Sequence, residues 1–322
     1  MKYGHLGRCG LRVSRLCLGT WNFGAKTDES EAVAILEAAL EAGITLIDTA
    51  NHYPDFVNCG RSESIIGRWL AQDTSRRRRV VLATKVFQPM MDSEDGPNGE
   101  PGLSKFKIIR HVEGSLRRLQ TDHIDLYQMH HIDRRTPWEE IWEAFELLIR
   151  QGKIGYVGSS NFPGWCLAVS QARARERQLL GLVSEQHVYN LLCRLPELEV
   201  LPAAQYHGIG VLAYSPLMRG KLSCKAVREA APERADQASS AQHQRLIDYS
   251  DHCATLGADP AAVALAWILS NPAISSVVIG PRTRAQLTRS LDAVELQLSA
   301  DTLSRLDQIF PSRGAAPEAY AW

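Results

Sequence analysis

No run of about 18 consecutive apolar residues occurs anywhere in the 322-residue chain, so the sequence offers no single membrane-spanning helix. The N-terminus, M-K-Y-G-H-L-G-R, lacks the apolar core of a secretory signal, and the expected location is the cytoplasm. Seven cysteines, at 9, 17, 59, 166, 193, 224 and 253, contain no C-x-x-C pair and are odd in number. That spacing argues against a disulfide framework and against a zinc site, and no metal is expected. Charge of either sign is not in excess: Lys+Arg and Asp+Glu are both 36, which gives no basis for nucleic-acid or membrane-surface binding. No G-x-G-x-x-G follows the first strand, which disfavours a two-domain, doubly wound dinucleotide-binding fold. What remains is 45% hydrophobic and 22% charged, the composition of a globular protein with a sizeable core.

Within that composition the pattern is strict. Glycine-punctuated extended pieces at 1–14 predict a β-hairpin. Strand signals follow at 16–18, 44–47, 80–83, 124–129, 154–157, 182–186, 209–213 and 276–279. Helical signals separate them, at 28–43, 62–70, 104–119, 137–150, 165–178, 196–206, 243–256 with 260–270, and 283–294. The basic run Arg76-Arg77-Arg78-Arg79 reads as the solvated face of a loop. Residues 88–102 are turn-rich and too long for a simple connection, so a functional loop is expected there, and a polar insertion is expected at 219–242. Eight strand–helix units without a composition break predict one α/β domain over 1–322: a (β/α)8 TIM barrel with an N-terminal β-hairpin and long active-site loops.

In such a barrel the carboxyl ends of the strands converge on one pocket. Trp21 follows the first strand, Asp48 and Tyr53 the second, Lys85 the third and His130 the fourth. A phenol titrates near pH 10, and a neighbouring ammonium is expected to lower that value toward the working range. A buried ammonium requires a counter-charge, which Asp48 can supply to Lys85. A histidine can orient a carbonyl oxygen. Taken singly, Asp48–Lys85 also reads as a structural ion pair and Tyr53 as an ordinary half-buried loop tyrosine. Together they form a device for protonating a carbonyl oxygen while hydride reaches the carbon.

These residues lie in pieces that, in order and spacing, resemble the aldo-keto reductase superfamily over nearly the whole chain. The pieces are D-T-A-N-H-Y (48–53), G-R-S-E-S-I-I-G (60–67), A-T-K (83–85), D-L-Y-Q-M-H (125–130), G-K-I-G-Y-V-G-S-S-N (152–161), V-Y-N (188–190), Y-S-P-L (214–217) and V-I-G-P-R-T (278–283). The resemblance places the catalytic tetrad on Asp48, Tyr53, Lys85 and His130, with Tyr53 as general acid. It implies a nicotinamide cofactor whose carboxamide is held by Ser160, Asn161 and Gln186, with Tyr214 stacked on the ring. Ser215, Leu217, Arg219, Gly220 and Lys221 would wrap the pyrophosphate, and Gly280, Arg282 and Gln286 would line the adenosine end.

Where the family commonly ends this stretch Gln-x-x-Glu-Asn, the chain has Arg289 and Ser290. Arg289 cannot accept from the adenine amino group, but with Arg282 and Arg284 it adds positive charge suited to a 2′-phosphate, so NADPH is expected over NADH. Trp21 and Tyr53 would wall the pocket. His131 is expected to take a structural role on the opposite side of the strand, while Arg134 and Arg135 read as surface charges or as contacts for an anionic substrate. The pieces around 122–134 and 200–211 further resemble bacterial ketoreductases of natural-product pathways, which act on polyketide ketones or nucleotide-linked keto-deoxysugars. The expected partner is therefore a small-molecule carbonyl compound, and a homo-oligomer is compatible with the resemblance. A second reading is a cofactor-sensing subunit like those of potassium channels.

Overall fold

The computed structural model describes residues 1–224 and 237–321. Two short strands, β1 (Tyr3–His5) and β2 (Arg12–Ser14), pair antiparallel as the expected hairpin. Eight more form the barrel: β3 (Leu16–Gly19), β4 (Leu46–Asp48), β5 (Val81–Val86), β6 (Ile124–Met129), β7 (Ile154–Ser160), β8 (Leu182–Val188), β9 (Gly210–Tyr214) and β10 (Ile274–Ile279). Each pairs in parallel with its neighbours in sequence, and β10 pairs with both β9 and β3, closing the ring. Helices cover it outside, so the fold is the (β/α)8 barrel that the strand–helix alternation predicts.

Side-chain alternation along the strands positions the site. Leu16 and Leu18 of β3 face the helical shell, whereas Cys17 belongs to a separate cluster with Leu46, Ala83, Leu126, Val183, Leu212 and Val278, which fills the barrel. Leu6, Cys9 and Val13 of the hairpin segment join that cluster and plug one end. Two residues beyond Leu46, Ala83 and Leu126 stand Asp48, Lys85 and Gln128, so the inward rows turn from apolar to polar at the carboxyl ends. The outward row is structural. Thr84 donates to Glu63 (2.6 Å), which also accepts from Arg118 (2.7 Å), tying the helices Arg61–Gln72 and Lys105–Leu119 to the strand that carries Lys85. The two helices meet so closely that a β-carbon on Gly67 would come within 2.0 Å of the Arg118 carbonyl oxygen.

Local departures from the expected elements have simple causes. Ile44 precedes β4 because its N–H closes the end of the helix Glu29–Glu41 on Ala39 O (2.8 Å), after Gly43 at φ 81°. The basic run forms a short helix, Thr74–Arg79, and is only partly solvated. Arg76 pairs with Glu37 and stacks on Trp69, and Arg77 meets Asp125 at 2.9 Å. The segment expected as one helix at 196–206 divides into a 3₁₀ turn, Leu195–Glu197, and the helix Val200–His207. Helix Gln237–Thr255 begins before the expected 243, and 225–236 of the polar insertion lie outside the described residues. Among the described residues no single helix is long and apolar enough to cross a membrane. The bent pair Ser240–Thr255 and Pro260–Ser270 passes that test of length and composition together, but it packs in the barrel's shell with Tyr249, Cys253 and Val263 buried.

Candidate active site

Asp48 is the hub of the polar end of the barrel. Its Oδ2 accepts from Lys85 Nζ at 2.5 Å, and its Oδ1 accepts from Gln128 Nε2 and Gln186 Nε2, both at 2.9 Å. Lys85, with no exposed surface, also donates to Thr49 O (2.9 Å) and to the Tyr53 hydroxyl (3.4 Å). The Tyr53 hydroxyl lies 3.5 Å from His130 Nε2. The four residues singled out from strand ends are thus brought together around one phenol. Gln128, which strand-end reading missed because His130 follows it more conspicuously, is the inward residue of β6, two beyond Leu126. That same parity could have found it.

The charges are set by burial and by the ion pair. Burial alone would pull Lys85 down, but Asp48 and Tyr53 outweigh it and hold the ammonium above its usual range. Burial pushes the Tyr53 phenol up. Lys85 opposes this, yet the balance lies above the ordinary value rather than below it as expected. Tyr53 is therefore a protonated donor whose conjugate base has an ammonium beside it. His130 is driven well below its ordinary value by burial and then by Lys85 and His52, so it is neutral.

Two loops are pinned to this centre. Asn51 donates to Gln88 O (3.1 Å) and to His111 Nδ1 (3.0 Å), while its N–H reaches Lys85 O (3.3 Å). His111 Nε2 lies 3.2 Å from Asp95, whose carboxylate accepts from the Met90 and Met91 N–H groups and sits 3.5 Å from Lys107. Glu94 pairs with Arg117 (2.7 Å) and Arg118 (3.0 Å), and Arg135 with Glu100 (2.8 Å). The segment 88–102 is thereby stapled down, and Arg135 serves that purpose. His131 is exposed and leans on Phe87. Trp21 stands half exposed at the rim, with Lys26 over its ring.

The remaining predicted residues lie along the ends of β7 to β10. Asn161 donates to Ser160 Oγ (3.0 Å) and to His130 O (3.1 Å), and accepts from the Tyr214 hydroxyl (2.8 Å). Ser215 O is held by Asn190 (3.0 Å). In the turn beyond Leu217, Met218, Arg219 and Gly220 take successive positive φ values of 44°, 56° and 90°, before Lys221. Such left-handed backbone is costly for side-chain-bearing residues. The Met218 and Gly220 N–H groups close the turn on Ser215 O (3.0 Å) and Leu217 O (2.9 Å), and Arg219 and Lys221 stand exposed along it. Gly280 faces open space apart from Asn22 Nδ2 at 3.6 Å, and Asn22 Oδ1 is buried without a partner. Gln286 uses its amide oxygen to accept from the Arg282 N–H (2.8 Å). Arg282, Arg284 and Arg289 are exposed, and among the described residues none of their guanidinium groups has a carboxylate partner. The exposed arginines suit an anionic cofactor, and the orphaned Asn22 acceptor suits a hydrogen-bond donor on it.

Burial makes the site sensitive to acid. His52 and His111 are both held down to about 4 by burial, and His130 lies well below 6.5. A histidine depressed on folding contributes stability that is fully present above about pH 6.5 and is lost as pH falls toward the folded value. Thermal melts should therefore show Tm falling between pH 6.5 and about 4, and a flat profile would contradict these environments.

The closed parallel barrel with ionisable groups gathered at one end of its strands defines a (β/α)8 protein with a polar centre at the carboxyl ends of its strands. The chain belongs to the aldo/keto reductase family, whose model matches residues 15–310. It is 56% identical over 326 aligned positions, covering 100% of both chains, to "Uncharacterized oxidoreductase YrpG" of Bacillus subtilis. It is 33% identical to "Protein tas" of Escherichia coli, over 96% of this chain and 97% of that one. It is also 32% identical to "Probable voltage-gated potassium channel subunit beta" of Arabidopsis thaliana, over 99% and 100%. The protein is thus an oxidoreductase of a family that typically uses nicotinamide cofactors.

Proposed function

We propose that the protein is an NADPH-dependent ketone reductase in which Tyr53 donates the proton to the substrate oxygen. The observation that carries this reading is the Tyr53 hydroxyl, set 3.4 Å from a buried ammonium and 3.5 Å from a neutral imidazole. The cofactor, when bound, supplies hydride. The protein's own groups do the rest: His130 and Tyr53 orient the carbonyl oxygen, Tyr53 protonates it, and Lys85 stabilises the phenolate left behind. Asp48 keeps Lys85 charged, and Gln128 and Gln186 keep Asp48 in place. Ser160, Asn161, Gln186 and Tyr214 would hold the nicotinamide end, 215–221 the phosphates, and Gly280, Arg282 and Gln286 the adenosine end. The likeness to bacterial natural-product ketoreductases supports a polyketide ketone or a nucleotide-linked keto-deoxysugar as substrate.

The exposed arginines support the 2′-phosphate. Arg282→Ala with Arg289→Ala should raise KM for NADPH about tenfold or more relative to NADH, as expected for lost charge-assisted hydrogen bonds. Initial rates with both cofactors and a carbonyl panel, including the two named substrate types, test this. Equal use of NADH by the wild type would overturn the cofactor choice, and no turnover of any carbonyl would overturn the function. A second reading, a cofactor-sensing channel-associated subunit, has support from the full-length likeness to the plant protein so named. It predicts a single cofactor oxidation per chain without sustained turnover.

A further inference from the structure

Directly before Tyr53 stands a second histidine that the proton-donating chemistry leaves unused. The His52 ring lies 5.0 Å from the His130 ring and 5.1 Å from the Tyr53 ring, which it meets edge-on. Its other face stacks on Phe56 at 5.6 Å and 22°. Three rings therefore wall the place where a carbonyl oxygen would sit between Tyr53 and His130. A phenylalanine or leucine would serve for such packing, yet this position carries an imidazole whose nitrogens have no hydrogen-bond partner among the described residues, and Nδ1 is buried. A buried polar atom without a partner costs free energy, and next to an active centre it calls for a ligand.

We infer that His52 is a substrate-binding residue that hydrogen-bonds a second oxygen, so that the preferred substrates carry a hydroxyl or carbonyl on the carbon beside the reacting carbonyl. This rests on reduction of a carbonyl at Tyr53. With the His52, Tyr53 and His130 rings clustered, the reach of a hydrogen bond from His52 extends to the carbon next to the carbonyl and not far down a chain. The second oxygen is an uncharged one. Lys85, the ammonium near these rings, is committed to Asp48, and burial with Lys85 nearby keeps His52 itself neutral. Among the described residues, Lys85 is the cation that acts on His52, and a carboxylate in this place would find it already paired.

The test compares acetophenone, 2-hydroxyacetophenone and phenylglyoxylate, which share one aryl ketone and differ only at the neighbouring carbon. The quantity read is the ratio of kcat/KM for 2-hydroxyacetophenone to that for acetophenone. In the His52→Phe variant this ratio should fall about tenfold or more, mainly through KM, and His52→Gln should recover part of it. Phenylglyoxylate should be a poor substrate for the wild type. A ratio that stays within about twofold in both variants would overturn the inference, as would a wild-type preference for phenylglyoxylate. If His52→Phe fails to fold, the ratio in His52→Gln decides. Wild-type turnover of other carbonyls with no preference for the hydroxy ketone would sink this inference alone, whereas no turnover of any carbonyl would sink the proposed function with it.

Discussion

Replacing Tyr53 by phenylalanine should lower kcat by about two to four orders of magnitude, the range that a positioned general acid contributes. The fold should survive, because the hydroxyl's hydrogen bonds are long, 3.4 Å to Lys85 and 3.5 Å to His130, and the ring's packing is retained. NADPH affinity, measured by fluorescence titration, should change little, since Tyr53 is not among the residues proposed to hold the cofactor. The size of the kinetic effect follows from the electrostatics. With burial holding the phenol above its ordinary value, Tyr53 is protonated at neutral pH and ready to donate. The adjacent ammonium acts when the proton leaves, by stabilising charge that exists only late in the step. Ketone reduction by Tyr53→Phe at near wild-type rate would remove Tyr53 from the mechanism.

The sequence made the barrel legible because strand and helix signals alternate eight times, and the strand order around the ring is the order along the chain. Asp48 and Lys85 were legible for the same reason: each ends an apolar strand. Less legible was whatever depends on which face of a strand a residue takes. Gln128 and Tyr127 are neighbours in sequence, yet one reaches Asp48 and the other packs against Phe145 in the shell. The direction of the Tyr53 shift is not legible, because a lysine's pull can be anticipated from the sequence, whereas the depth of burial that outweighs it cannot. Nor does the sequence say that Glu94 and Asp95, adjacent in a turn-rich stretch, fasten 88–102 to two different ionic clusters. That depends on where His111, Arg117 and Arg118, each more than fifteen residues farther along the chain, project from the helix Lys105–Leu119.

The Asp48–Lys85 pair should separate stability from activity when its two halves are removed in turn. Asp48→Asn leaves a fully buried ammonium whose remaining partners are Thr49 O and the Tyr53 hydroxyl. Stranding a buried charge this way costs about 3–5 kcal/mol, or a Tm loss on the order of 10 °C in a chain of this size. Lys85→Met leaves a carboxylate that still accepts from Gln128 and Gln186, so its cost should be the smaller of the two. Both variants should lose most of kcat, since Lys85→Met removes the charge that stabilises the phenolate and Asp48→Asn removes the carboxylate that keeps Lys85 charged. The double variant should be more stable than Asp48→Asn alone, because the stranded ammonium is gone, while activity stays low. Melting curves and kcat for the four proteins complete the cycle. Equal destabilisation by the two single variants, with no recovery in the double, would show that the amides do not support Asp48. Full activity in Lys85→Met would show that the pair serves only to hold the ends of β4 and β5 together.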